Sequence, residues 1–286
     1  MKKNEKLSLK LGLRLAFLAV LFLAFSCTQD MTELETDPEA KNSKNQKAVL
    51  KTLVKGAALN AANGIAIGPD GNLYVASVTG QEIVVMNKNN GKIIDRITDQ
   101  VDSPDDLVFG PDGSLYWTDI LTGWVGRRTP GSDGIVTSQE GIVTKQKFLP
   151  GVNPIAFNDD DRLFIALDFQ GDGLYEFDPE LIADPRTIIE CPTGFCLGFF
   201  NSFDFGTDGR LYGPLFALGQ VIKMNVETGV YEKVAEGFVN PAAAKFGPDG
   251  LLYVLDQTGE LFKIDITTGE KTLFTTLEPG LDNMVF

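Results

Sequence analysis

The chain has 286 residues, with 25 Lys and Arg against 39 Asp and Glu, for a formal net charge of −14. That balance argues against nucleic acid and anionic lipid as partners. No histidine occurs, which removes the usual general base, the Ser-His-Asp triad and the common zinc site, so a metal here would need the oxygen ligands that suit calcium or magnesium.

In chain order, MKKNEKLSLKLGLR carries the positive charge of a secretory n-region, and AFLAVLFLAF (16–25) is an apolar h-region too short to span a bilayer. The small residues Ala24 and Ser26 stand just before Cys27. AFSC resembles the lipobox of bacterial lipoproteins, which implies lipidation of Cys27; a plain signal peptide cut near Ser26 is the alternative. Residues 28–47 have no apolar period and read as a flexible tether. The expectation is a membrane-anchored lipoprotein, periplasmic or at the cell surface, that touches the membrane only through its lipid.

From residue 48 the chain reads as all-β. AVLKTLVKG (48–56) looks like a fourth strand with no blade before it. GPDGNLYVAS at 68 then returns as GPDGSLYWTD at 110, NDDDRLFIAL at 158, GTDGRLYGPL at 206 and GPDGLLYVLD at 247. The steps average about 45 residues, the length of a propeller blade. In the last unit AAAKF, LLYVLD, ELFKID and EKTLFTT read as four strands joined by tight turns. The fold class expected is a β-propeller of four-stranded antiparallel blades over 48–286. LDNMVF (281–286) matches the first strand of a unit, because Phe109, Phe157, Phe205 and Phe246 all immediately precede a turn. The reading is a six-bladed design with five complete blades and a partial sixth, closed by the strand at 48–56; a five-bladed ring is the alternative. Cys191 and Cys196 in CPTGFC flank a Pro-Gly turn, and an oxidising compartment favours a disulfide between them; two free thiols are the alternative.

With these repeats and NSFDFGTDGRLY (201–212), residues 48–286 resemble the SMP-30/gluconolactonase/LRE-like superfamily of six-bladed propellers. The resemblance implies lactone or ester hydrolysis with a divalent cation on the axis. Its ligands are a Glu from the first unit, an Asn from the fourth and an Asp from the fifth, and an Asn from the third assists water or substrate. Matched position by position, Asn201 and Asn153 retain the amides, whereas Asn63 stands for the Glu and Asn240 for the Asp. Asn201, Asn153 and Asn240 are therefore the metal candidates, for Ca2+ or another divalent cation, and neutral amides make the expected affinity weak.

Every unit also enters its inner strand with an Asx residue: Asn63, Asp105-Asp106, Asn153, Asn201, Asn240 and Asp282-Asn283. Inner strands line the axis, so these side chains are expected to ring one mouth, although Asx residues also cap turns. Asp168, Asp119 and Asp106 are the candidate bases, and Asn153, Phe169 and Trp124 the candidate substrate contacts, with Phe216 adding to an apolar rim. Two functions follow: a monomeric hydrolase of a small neutral lactone or ester, or a non-catalytic propeller that binds a polyol, sugar, peptide or protein partner. A lyase of the streptogramin-inactivating kind relies on a catalytic histidine and falls away.

Overall fold

The computed structural model describes residues 51–54, 59–168, 172–191 and 197–286. Within them lie five four-stranded antiparallel sheets, each in sequence order, in a propeller arrangement. Blade I is β1 (Ala62–Ile67), β2 (Leu73–Ser77), β3 (Glu82–Met86) and β4 (Ile93–Ile97). Blade II is β5 (Pro104–Phe109), β6 (Leu115–Asp119), β7 (Trp124–Arg128) and β8 (Val143–Lys147). Blade III is β9 (Val152–Phe157), β10 (Leu163–Leu167), β11 (Gly173–Phe177) and β12 (Arg186–Ile189). Blade IV is β13 (Asp204–Phe205), β14 (Leu211–Leu215), β15 (Gln220–Met224) and β16 (Tyr231–Glu236). Blade V is β17 (Pro241–Phe246), β18 (Leu252–Asp256), β19 (Glu260–Ile264) and β20 (Lys271–Thr276).

The repeated turn explains itself residue by residue. In GPDGNLY the first glycine lies under the tyrosine ring: a Cβ on Gly68 would come within 2.5 Å of Tyr74. Asp70 accepts the Asn72 amide at 3.1 Å and also meets the Tyr74 hydroxyl. Gly71 has φ +75, where a side chain is strained. The same Asp-to-amide bond recurs at Asp112, Asp208 and Asp249, and in the worn copy Asn158 accepts the equivalent amide, that of Arg162.

The conserved ring of each hairpin then packs on the phenylalanine that precedes the next blade's turn. Ring centroids are 4.8 Å apart for Tyr74–Phe109, 5.1 Å for Tyr116–Phe157, 5.0 Å for Phe164–Phe205 and 5.1 Å for Tyr212–Phe246. Such pairs each contribute about 0.5–1.5 kcal/mol beyond the area they bury. Four apolar clusters fill the blade-to-blade interfaces around them.

The two ends of the propeller depart from expectation. Residues 281–286 form no strand, yet Phe286 meets Tyr253 at 4.8 Å and so continues the aromatic series to a fifth pair. Val285 packs on the face of blade I formed by Leu73, Val75, Val84 and Met86. This segment therefore touches blades V and I together, where the first strand of a sixth blade would run. The strand expected at 48–56 is not seen in its described part: residues 51–54 are not in a sheet, and Leu53 and Val54 cover the same face of blade I. Among the described residues this segment is held by apolar contact rather than by a ladder.

Candidate functional site

The Asx residues sit where the inner strands break register. Between Ala62 and Ile65 the β1–β2 pairing slips, and Asn63 lies in the slip. Asp105 and Asp106 lie between Pro104 and Leu107, and Asn153 between Val152 and Ile155. A bulge of this kind re-aims side chains that strict alternation would send into the sheet faces. In blade IV the same stretch leaves its own sheet: Ser202 bridges Ala243 of blade V in parallel, and Ala244 donates to the Ser202 carbonyl at 2.8 Å.

The re-aimed side chains bond to one another across blades. Asn63 Nδ2 donates to Asp105 Oδ1 at 2.9 Å, and Asn283 Nδ2 to Asp106 Oδ1 at 2.9 Å. Asn153 Nδ2 donates to Asp168 Oδ2 at 3.2 Å. Asn201 donates to Asp282, which also accepts from Gln257 Nε2 at 3.2 Å. Ser202 Oγ donates to Asn283 Oδ1 at 2.9 Å. Close approach of blade I to this cluster requires Gly64, whose Cβ would fall 2.6 Å from Asp106 Cα.

The acids of the cluster are not equivalent. Asp106 is saturated: besides Asn283 it accepts the amides of Leu107 at 2.9 Å and Ile155 at 3.2 Å. Burial raises its pKa, and Lys245 and these donors offset the rise. Among the described residues, Asp105 Oδ2 and Asp168 Oδ1 are buried without a hydrogen-bond partner. Burial, and then the neighbouring acids Asp282, Asp106 and Asp168, push Asp105 well above the usual carboxylate range. Asp168 is pushed well above it by burial and by Asp172 and Asp282. Burial, with Asp106 adding to it, raises Asp282 to about 6. Burial thus raises every acid of this group, and for Asp105, Asp168 and Asp282 neighbouring carboxylates add to the rise.

Asp119 ends β6 as Asp168 follows β10, but it stands elsewhere. Its Oδ1 accepts the Asp102 amide at 3.1 Å and the Ser103 amide at 2.8 Å; its Oδ2 meets Trp117 Nε1 at 3.2 Å and Lys145 at 3.4 Å. Both oxygens hold the turn. Asp256 does the same for Val239 and Asn240. At the matching positions before β9 stand Pro150, which has no N–H, and Gly151, whose N–H goes to the Ile120 carbonyl. Asp168 also stands one place later in its hairpin than Asp119, since Leu167 pairs with Val152 as Asp119 pairs with Pro104, so its side chain leaves the other face and meets Asn153 and the Phe200 amide. That one-residue offset was the sequence signal that separates Asp168 from Asp119.

Of the expected metal ligands, Asn153 and Asn201 turn amide N–H groups toward acids, and Asn240 stands half-buried before β17. Asp105 and Asp282 are the members that the choice of site residues missed, although the Asx series contained both. Among the described residues no three acidic, cysteine or histidine side chains are already gathered at metal-ligand spacing. Trp124 is half-buried at the start of β7, with the ammonium groups of Lys145 and Lys147 5.2 and 5.0 Å from its ring. Cys191 is disulfide-bonded; Cys27, Phe169 and Cys196 lie outside the described residues.

No sequence model of a protein family matches the chain, and no curated protein matches it. Solved structures do match. A gluconolactonase from Xanthomonas campestris is 13% identical at a TM-score of 0.59, covering 77% of each chain. A regucalcin described as a calcium-binding protein, from Agrobacterium tumefaciens, is 14% identical at 0.58, covering 77% of this chain and 75% of that one. A catalytically inactive histidine-to-alanine variant of virginiamycin B lyase from Staphylococcus aureus, with quinupristin, is 16% identical at 0.59, covering 77% and 71%. At these identities the likeness is one of fold, the β-propeller.

Proposed function

We propose that the axial mouth binds a small neutral lactone or ester and hydrolyses it. The observation that carries this reading is the pair of buried, unpartnered carboxyl oxygens, Asp105 Oδ2 and Asp168 Oδ1, set beside the amides of Asn63 and Asn153. Asp168 is among the acids that raise Asp105, and neighbouring acids whose environments differ can divide into one acid and one base. The ionised carboxylate takes a proton from water as the water oxygen bonds to the acyl carbon. The protonated carboxyl gives its proton to the alkoxide oxygen released when the acyl C–O bond breaks. Asp106, saturated by three donors, positions the strand and takes no proton in this scheme.

The donor set is all oxygen, and two of its buried oxygens lack partners, which suits a calcium ion. Asp105, Asp168 and Asp282 would hold it, with Asn153, Asn201 and Asn240 as neutral neighbours. When bound, such an ion would polarise the acyl oxygen. Binding would have to draw the acids together and would displace their protons, so in the ion-loaded form the released alkoxide would take its proton from water; weak affinity, with a Kd of roughly 0.1–1 mM, is expected. The gluconolactonase and regucalcin likenesses support hydrolysis and calcium; the lyase likeness is less apt, because this chain has no histidine. We place the protein outside the cytoplasm, tethered through Cys27 and monomeric. The test is hydrolysis of γ-butyrolactone followed by pH-stat. Wild-type protein should turn it over and Asp168→Asn should not; equal rates in both would remove Asp168 from the chemistry. A second reading, binding of a polyol without turnover, draws on the density of amide donors at the same mouth.

A further inference from the structure

The loops around the axial mouth carry a second, apolar character. The β6–β7 loop bonds to the residues that lead into β5 and β9: Ile120 N donates to Ser103 O and Gly151 N to Ile120 O. Leu121 and Leu149 flank that junction. Phe238 N donates to Gly219 O between the β14–β15 loop and the lead into β17, and Leu218 and Val239 flank that one. Gly280 N donates to Gln257 O beyond β18, beside Leu281. These five aliphatic side chains are between 38% and 64% exposed. They lie at the end of the blades where the inner strands begin, because their loops either lead into an inner strand, as at Leu149 and Val239, or bond to a segment that does, as at Leu121 and Leu218.

An acid-lined mouth ringed by exposed aliphatic side chains presents two surfaces to one ligand. Exposed apolar groups gathered about a polar centre mark a binding site more than a solvated surface. An anionic head is excluded by the acids themselves and by the net charge of −14. We propose that the substrate is a neutral amphiphile: a lactone or ester whose polar head enters among Asp105 and Asp168 while an aliphatic chain lies across the loops of Leu121, Leu149, Leu218 and Val239. This inference rests on the reading of the axial mouth as the site.

The test is kcat/KM of the full-length protein for γ-butyrolactone, γ-octalactone and γ-dodecalactone, with calorimetric binding of the same three. Full burial of a methylene is worth about fourfold in affinity, and contact on a half-exposed rim roughly twofold. The expected result is a rise of about tenfold from the butyrolactone to the octalactone, with the slope cut to half or less in Leu121→Ser/Leu218→Ser. Hydrolysis of all three at one rate would overturn the amphiphile and leave the hydrolase standing. A slope untouched by the double substitution would also overturn it, by placing the chain elsewhere. Chain-length-dependent binding without hydrolysis would support the amphiphile while the hydrolase reading fails. Neither binding nor hydrolysis would overturn both.

Discussion

Asp105 and Asp112 belong to the two ends of one strand, β5, and behave as opposites. Asp112, in the turn beyond Phe109, accepts the Ser114 amide at 3.0 Å, the Ser114 hydroxyl at 2.7 Å and an Arg127 ion pair at 2.7 Å. Burial pushes it up, but the hydrogen bonds of Arg127 and Ser114 together hold it below the usual carboxylate range. Asp105, seven residues earlier, is buried among other acids with one oxygen unpartnered and is raised well above that range. The turn end of the blade uses its carboxylates to hold hairpins, whereas at the mouth end Asp105 and Asp168 each keep one oxygen unpartnered among the described residues. Unpaired buried acids destabilise a fold, which is why their presence at one end points to chemistry there.

Substitutions at the two ends should differ in the same way. The largest effect is expected from Gly64→Ala, whose Cβ would meet Asp106 Cα at 2.6 Å and Asp105 O at 2.7 Å. Backbone cannot step aside, so a loss of roughly 3 kcal/mol is expected in urea unfolding. Gly71→Ala, at the turn end, meets nothing within 4 Å and carries only the strain of φ +75. It should lose about 1 kcal/mol. Similar losses in the two variants would show that the mouth is not close-packed around its acids.

Next in size, Asp105→Asn and Asp168→Asn should each stabilise the protein by about 1 kcal/mol at pH 7 while lactone hydrolysis is lost. The pH dependence of stability has the same origin. The raised acids bind more protons folded than unfolded, so their contribution is fully present below about pH 4 and is lost as pH rises through the folded pKa values. For Asp282 that window closes near 6. Melting temperature should therefore fall between pH 4 and 7, and Asp282→Asn should flatten the lower part of that fall. The smallest effect is expected from Asp112→Ala, which loses partly exposed contacts worth roughly 0.5–1 kcal/mol and should leave hydrolysis unchanged. A loss of hydrolysis in Asp112→Ala would mean that the two ends are coupled.

The turn end was legible because its physics is local. Asp70 caps its own turn two residues on, Gly71 supplies the positive φ, and both recur in plain sight along the chain. The phenylalanine before each turn was equally legible, and it placed Phe286 correctly in the repeat even though no strand forms there. The mouth was legible as a series of Asx residues but not as a network. The slips of β1, β5 and β9 depend on the partner strand, and no single strand's sequence records them. Asp119 and Asp168 looked alike because both follow an apolar strand. They diverge because Asp119 is the tenth residue of its repeat and Asp168 the eleventh, so their side chains leave opposite faces of the strand.

The account depends on Asp105 and Asp168 forming one ligand site rather than two independent buried defects. The most direct measurement is the melting temperature of wild-type protein and of Asp105→Asn/Asp168→Asn at pH 7, each without and with 10 mM calcium chloride, about ten times the upper end of the expected Kd. Without calcium the double variant should melt higher. With calcium the wild type should gain several degrees, on the order of 1 kcal/mol, and the variant nothing. A variant that melts lower than wild type and gains as much from calcium would contradict the account.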